Sequence, residues 1–252
     1  MIEGIEITTL TDRPHLASKA EALDGGWPEF MQHDPVGQSF YLDAAEYYTD
    51  YTLVATPADR PDQVIARAYS VPIGLAEEPP AGLPDTGWDA AIVLGRVARL
   101  AGYGGDALCG LEVTIRPDMR SSGLGAEMLR QFRVIARSKG LRHFVAPVRP
   151  PGKTAVPEMT LGDYAAQLTA DGLPADPLLR AQARLGASIV GIAPASMVVV
   201  GSLAQWRQWT GLPFDKDGPV IVPGAMVPVH CDLTHDSAAY VEPNVWVHQA
   251  LS

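Results

Sequence analysis

The sequence predicts an α/β fold, one domain built around a sheet with a C-terminal elaboration. Short β-branched or alternating runs, among them IEITTL, TLVAT, CGLEVTI and LRHFVAPV, are interleaved with segments of helical period, the pattern of a sheet covered by helices. Residues 109–148 read strand, helix, strand, a crossover unit that makes its two strands parallel neighbours. A hydrophobic content of 47% in 252 residues is enough for a substantial core.

Taken in order, IEITTL (5–10) alternates as a strand and stops at Thr11-Asp12-Arg13-Pro14, where Thr11 or Asp12 can cap a helix with the proline in its first turn. GGWPEFMQHDPVGQSF (25–40) is too broken by Gly and Pro for a long element, and LDAAEYY (42–48) is helical in composition. TLVAT (52–56) and VIARAYSVPI (64–73) flank the polar turn PADRPDQ as a hairpin. A proline-rich loop, 75–88, precedes the helix DAAIVLGRVARLAG (89–102), and CGLEVTI (109–115) is the next strand. Met128, Leu129, Phe132, Ile135 and Ala136 form one apolar face of a helix that stops at Gly140, and LRHFVAPV (141–148) returns as a strand. Beyond a proline-rich connection (149–160), short helices are expected around 161–170 and 177–185. ASIVGIAPASMVVVG (187–201) then follows as a strand pair or one bent strand. Without repeats or a clean linker, residues 1–200 form the main unit and 201–252 an extension packed on it. Within that extension YVEPNVWVH (240–248) is either a packed closing strand or a wall of an acceptor site.

A net charge of −10 argues against a general nucleic-acid binder, which needs a basic surface to displace counterions. Charge is uneven, however: seven of the nineteen cations lie between Arg116 and Arg142, against two acids, Asp118 and Glu127. Cys109 and Cys231 match no metal-ligand spacing, so neither a disulfide framework nor a metal site is expected. No apolar segment reaches the roughly 20 residues of a membrane span, and the N-terminus lacks a basic region followed by an apolar run. A reduced, cytoplasmic setting without membrane attachment is the expectation, with a homodimer allowed.

The basic island coincides with VTIRPDMRSSGLGAEML (113–129), where a β-branched run meets a turn of Arg120, Ser121, Ser122, Gly123, Leu124, Gly125 and Ala126 that opens a helix. A helix start exposes unbonded N–H groups and the positive end of a dipole, and glycine lets a main chain approach a ligand closely. Arg130, Arg133 and Arg137 follow at i, i+3 and i+7. An anion site and a plain strand-to-helix turn with a solvated basic face both fit this composition. Neither G-x-x-x-x-G-K-[ST], nor G-x-G-x-x-G after a first strand, nor G-x-S-x-G is present, which disfavours nucleoside triphosphatases, Rossmann dehydrogenases and α/β-hydrolases.

The pattern Arg120-x-x-Gly123-x-Gly125-Ala126, preceded by VTI and Pro117 and followed by an amphipathic helix, resembles motif A of the GCN5-related N-acetyltransferases. The resemblance is specific over 109–148 and continues more weakly to about 192, where LLRAQARLGASIVGI resembles the family's helix ending in a Leu-Gly pair. It implies a mixed, mostly antiparallel sheet splayed at the two parallel strands, with helices on both faces. It further implies acetyl-CoA or another acyl-coenzyme A as co-substrate, without a metal. Backbone groups of Val113 and Ile115 would pair with the pantetheine arm as an added strand does, and the amides of Arg120 to Ala126 would hold the pyrophosphate. Charge and spacing place Arg133 or Arg137 near the 3′-phosphate. The tyrosine that many members carry just before the Leu-Gly pair is absent; Ala181-Gln182-Ala183-Arg184 stands there.

Acyl transfer to an amine needs a deprotonated, positioned amine and a stabilised oxyanion. Alternation of CGLEVTI sets Glu112 with Thr114 and Arg116 opposite Leu111, Val113 and Ile115, making Glu112 the candidate base or, alternatively, an arginine-paired carboxylate. Tyr164, inside the 149–176 insertion, is the candidate replacement acid, with a packing tyrosine as the other reading. His143 reads as a surface or capping histidine and WPEFMQHDP (27–35) as a pocket wall or a core-anchored loop, and no covalent intermediate is expected on Cys109, which starts the motif strand. The expected reaction is acetyl transfer to a small amine-bearing molecule. Malonyl thioester decarboxylation, O-acylation and non-catalytic acyl-coenzyme A binding are the rivals.

Overall fold

The computed structural model describes residues 2–41, 46–120 and 122–251. It contains β1 (Ile5–Thr9), α1 (Ala17–Glu21), α2 (Pro35–Phe40), β2 (Leu53–Pro57), β3 (Ala66–Ile73), α3 (Gly87–Leu100), β4 (Ala107–Ile115), α4 (Leu124–Ser138) and β5 (His143–Val148). These are followed by α5 (Leu161–Ala165), α6 (Pro177–Arg184), β6 (Ser188–Ser202), α7 (Leu203–Thr210), β7 (Gly218–Val220), β8 (Val229–Asp232) and β9 (Ser237–Ala250). The expected hairpin is β2–β3, and the expected helix on 42–48 falls largely on residues 42–45, outside the described residues.

The strands form one sheet in the order β1-β2-β3-β4-β5-β9-β8-β7, with β6 on the other edge of β9. Only β4 and β5 are parallel, as the crossover predicts, and they pair over just Ala107–Cys109 and His143–Val145. Beyond Cys109 the two strands part, because β4 stays with β3 as far as Ile115 while β5 follows β9 as far as Val148. The gap between them is the splay the resemblance implies.

Helices cover both faces. On one, α3 packs with a core of Tyr69, Val71, Trp88, Trp206, Phe214 and Tyr240. On the other, α4 buries Leu124, Met128, Leu129, Phe132, Ile135 and Ala136, the apolar face read from its period, against Phe144 and Leu108.

Residues after 200 are not an appended layer. The boundary at 200/201 falls inside β6, one bent strand of 15 residues, and β9 lies between β5 and β6 in the middle of the sheet. YVEPNVWVH is therefore the packed strand. Its central place explains its run of buried residues, since both of its edges are hydrogen-bonded and both faces are covered.

A buried carboxyl pair pins α2 to this frame. Asp34 caps α2 by accepting from Gly37 N at 2.6 Å and faces Asp89 in the first turn of α3. Burial, then the charge of Asp34, pushes Asp89 up to about 8, and burial raises Asp34 too, against the opposing backbone hydrogen bond of Val198 to each. Folded Asp89 thus holds a proton that the unfolded chain has released, so stability is highest below about pH 4 for this group and falls as pH rises toward 8. Asp89→Asn is expected to flatten the pH 5–8 dependence of Tm. It should also raise Tm at pH 8 by a few degrees, at roughly 2–4 °C per kcal/mol for a chain of this size.

Candidate active site

A cavity of about 300 Å³ opens where β4 and β5 part. Gly110, Val113 and Thr114 of β4 form one wall, Phe144, Ala146 and Val148 of β5 the other. Leu129 and Phe132 of α4 close it from one side of the sheet, and Trp27 and Trp88 from the other.

The backbone of β4 is unpaired along this cavity. Arg116 N donates to Ile65 O at 2.9 Å, which makes Thr114 and Arg67 a hydrogen-bonded pair and turns the N–H and C=O groups of Val113 and Ile115 away from β3. Those groups face the edge that β5 has left, where an extended ligand can add as a strand.

One end of the edge leads into the glycine turn. A short 3-10 turn, Pro117–Met119, is followed by Arg120 in extended geometry and by Gly123 at φ +83° as the residue preceding α4. A left-handed conformation suits glycine, and among the described residues no atom beyond its chain neighbours lies within 4 Å of where a Cβ would project. At Gly125 the constraint is contact instead, since a Cβ there would sit 3.1 Å from Ile115 Cδ1. Leu124, Gly125 and Ala126 form the first turn of α4, whose amides have no carbonyl four residues back within the helix; Ser122 Oγ accepts from Leu124 N at 3.3 Å. Ser121 lies outside the described residues. The turn thus combines an open approach with the positive end of the α4 dipole, while the amides of Arg120, Ser122 and Leu124 are bonded within it to Pro117 O, Met119 O and Ser122 Oγ.

Arg133 does not reach outward with Arg130 and Arg137. It is 3% exposed, and its guanidinium lies 3.8 Å from the Phe144 ring centroid. It donates to Leu129 O (2.9 Å), Gln182 Oε1 (2.6 Å) and Gln249 Oε1 (3.0 Å). Arg133, expected near the 3′-phosphate, instead lies buried and joins α4 to α6 and β9, each of its three nitrogens donating one hydrogen bond within the protein. Burial, then the charge of Arg137, lowers it to about 10, still a cation near neutrality. The i, i+3, i+7 spacing missed this because position 133 lies beside Phe132 at the edge of the buried face.

At the other end of the cleft stands Glu112, 9% exposed. Its Oε1 accepts from Arg67 Nε at 3.0 Å and from the Thr114 hydroxyl; its Oε2 accepts from Trp27 Nε1 at 3.1 Å and from the Tyr41 hydroxyl. Arg67 also donates through one nitrogen to the carbonyls of Ala20, Glu21 and Leu23 at 2.6–2.9 Å, holding the end of α1 and the following turn against the site. Burial, then the Glu112 charge, holds the Tyr41 hydroxyl well above its ordinary range, so it stays a donor.

Glu112 does lie opposite Val113 and Ile115, yet Leu111 is not opposite it. A β-bulge puts Tyr69 across from Glu112 and Ser70 across from Gly110, leaving Leu111 unmatched in the core on the Trp88 side. The register shift sends Leu111 and Glu112 toward the same layer, and Trp88 Nε1 donates to the bulged Leu111 carbonyl at 3.1 Å. A period-2 reading has no means of registering that extra residue.

Tyr164 is not among the residues lining the cleft. Its hydroxyl donates to Asp176 Oδ2 at 2.9 Å, and Asp176 in turn caps α6 through Leu178 N and Leu179 N. Burial, then Asp176, pushes the phenol up to about 12. The 149–176 insertion reaches the site otherwise: Arg149 and Pro151 line the cleft. Arg149 Nε sits 3.0 and 3.1 Å from the Glu242 oxygens, and Glu242, fully buried, also accepts from Tyr240 and Asn244. Cys109 is wholly buried and its thiol is pushed far up by burial, which removes it as a nucleophile. His143 is a buried strand residue, 3.0 Å from His248 and paired with Glu78. In WPEFMQHDP both alternatives hold in part, since Phe30 and Met31 anchor the core while Trp27 lines the cleft.

Tyr41 and Arg67 were not singled out in the sequence. A charged residue inside the apolar run VIARAYSVPI is a usable signal for Arg67, because a cation in a covered strand must be paired. Tyr41 carries no such signal.

No family model matches the chain. The chain is 29% identical to the arginine N-acetyltransferase avaD of Aspergillus versicolor, over 97% of this chain and 93% of that protein. Among solved structures, it superposes on the loading GNATL domain of CurA from Lyngbya majuscula with a TM-score of 0.59 at 18% identity, over 98% of each chain. It superposes on the GphF GNAT-like decarboxylase in complex with isobutyryl-CoA with a TM-score of 0.55 at 18% identity, over 98% of this chain and 99% of the other. With the splayed parallel pair, the helices on both faces and these near end-to-end matches, the chain has the fold of these GNAT-like structures and is similar over nearly its whole length to an N-acetyltransferase.

Proposed function

We propose that this protein is an acyl-coenzyme A-dependent N-acyltransferase that moves an acetyl group to the amine of a small molecule by direct attack in a ternary complex. The observation that supports the reading is the succession along β4 of a buried carboxylate hub, a strand edge unpaired toward β5 and, just beyond the strand, a glycine turn opening a helix. The relative named for arginine N-acetylation supports a small-molecule amine acceptor.

In this reading the amides from Arg120 to Ala126 hold the pyrophosphate, and the outward groups of Val113 and Ile115 align the pantetheine arm along β4. The bound thioester supplies the electrophilic carbonyl. Glu112, already oriented by Arg67 and Thr114, accepts a proton from the incoming ammonium where that group replaces the Trp27 indole as donor on Oε2. Attack then forms the amide bond and breaks the carbon–sulfur bond; the remaining amine proton ends on sulfur, giving amide and free thiol.

A second reading, decarboxylation of a malonyl thioester, draws on the likeness to the GphF decarboxylase and on Arg149, which lines the cleft as a partner for a carboxylate. The two are separated by offering acetyl-CoA with a panel of small amines and, separately, malonyl-CoA without an amine. Thiol release that depends on an amine and yields its amide supports transfer. Carbon dioxide from malonyl-CoA with no amide from any amine replaces transfer with decarboxylation, and saturable binding with neither reaction makes the protein a binder.

A further inference from the structure

We infer that a second cavity beside the cleft is the acceptor chamber, and that Glu21 and Asp24 on its wall select an acceptor whose far end carries a second cation, a guanidinium or an ammonium. The inference rests on the reading of the cleft as the acyl-coenzyme A site.

The second cavity holds about 450 Å³ and shares Gly25, Trp27 and Trp88 with the cleft, so a molecule in it lies against the same indole that donates to Glu112. That volume falls in the range of small-molecule sites, roughly 300–1,000 Å³. Three of its wall residues are aromatic and mutually packed: Trp88 stands 6.2 Å from Trp27 and 5.3 Å from Tyr41, centroid to centroid. Such faces attract cations and shield the methylenes between two charged ends.

The charge around the chamber is one-sided. Glu21 and Asp24 are exposed on its wall and Glu112 stands at the junction with the cleft, against a single guanidinium, Arg67. Arg67 is already committed to Glu112 and to three carbonyls, so it neutralises the inner carboxylate and not the outer two. A monoamine reacting at Glu112 would leave Glu21 and Asp24 uncompensated. An acceptor with a second cation answers both ends at once, and complementarity of this kind sets specificity more than raw affinity. The Tyr69 hydroxyl, 1% exposed and without a hydrogen-bond partner among the described residues, lies behind this wall. Its ring packs edge-on to Tyr41 at 5.4 Å and beneath Arg67 at 5.2 Å, which backs the aromatic wall.

The test compares amines that differ only in the far-end charge, agmatine against carbamoylputrescine and 1,4-diaminobutane against 1-aminobutane. Each is measured by calorimetry on the coenzyme A-bound protein and by kcat/KM with acetyl-CoA. The dicationic member of each pair is expected to bind about tenfold or more tightly. In E21Q/D24N that ratio should collapse toward one, with coenzyme A affinity unchanged. Equal binding of the neutral and charged members by the unaltered protein, or a preference that survives in E21Q/D24N, overturns the inference. If no amine is acetylated, the transferase reading fails by itself, and the calorimetric ratio still decides whether the chamber selects a second cation.

Discussion

Glu112→Gln is expected to lower kcat by about 10²–10³ while leaving coenzyme A affinity and the fold in place. The substitution keeps the shape and one oxygen that can still accept from Arg67 and Thr114, but it puts an NH2 group where Trp27 and Tyr41 donate and removes the lone pairs that would receive the ammonium proton. Glu112→Met behaves differently, because it strands a guanidinium of which the side chain is only 8% exposed. An orphaned buried charge of this kind costs about 3–5 kcal/mol. In the pair Glu112→Met with Arg67→Met, much of that stability should return, since no ion is left without its partner. Activity should not return. Urea unfolding of the two single variants and the double variant reads the structural part; single-turnover rates with saturating acetyl-CoA read the chemical part. Full activity in Glu112→Gln, or recovery of turnover in the double variant, would remove the carboxylate from the chemistry and leave it as a strut.

The second large effect is expected at Gly123. Valine there should weaken coenzyme A binding by at least about 100-fold, equal to ~2.7 kcal/mol, because a β-branched side chain at φ +83° is strained by about 1–3 kcal/mol and relieves that strain by rotating the peptide that opens α4. Among the described residues nothing beyond its chain neighbours stands within 4 Å of a Cβ at Gly123, so the expected loss comes from backbone geometry. Thermal shift with coenzyme A, dephospho-coenzyme A and ATP distinguishes the contributions. The unaltered protein should be stabilised most by coenzyme A, by RT ln(1 + [L]/Kd), and Gly123→Val should show almost no shift with a similar unliganded Tm. An unchanged shift in that variant would take the pyrophosphate away from the turn. No stabilisation of the unaltered protein at saturating coenzyme A would take away the cofactor altogether.

Local pattern was enough for the elements whose signal is short-range. The crossover over 109–148, the apolar face of α4, the hairpin of β2 and β3 and the glycine turn are all set by neighbours within a few residues, and each appears where its period or turn chemistry put it. Where partners come from far along the chain, the pattern misled or was silent. Arg133 reads as one of three solvated arginines until Gln182 and Gln249, from two other elements, take its donors. Tyr164 reads as a spare acid until Asp176 occupies its hydroxyl. The bulge at Leu111 depends on Tyr69 and Ser70 of the neighbouring strand.

Consecutive residues were enough for the glycine-turn half of the candidate site, because a helix start with Gly123 and Gly125 is a local property of the chain. Only the tertiary structure decided the half around Glu112. The hub on Glu112 gathers Trp27, Tyr41, Arg67 and Thr114 from four separate segments, and β9 comes from the far end of the chain to hold β5 away from β4. A buried carboxylate is tolerated only where donors converge on it in three dimensions, and periodicity along one dimension does not record that convergence.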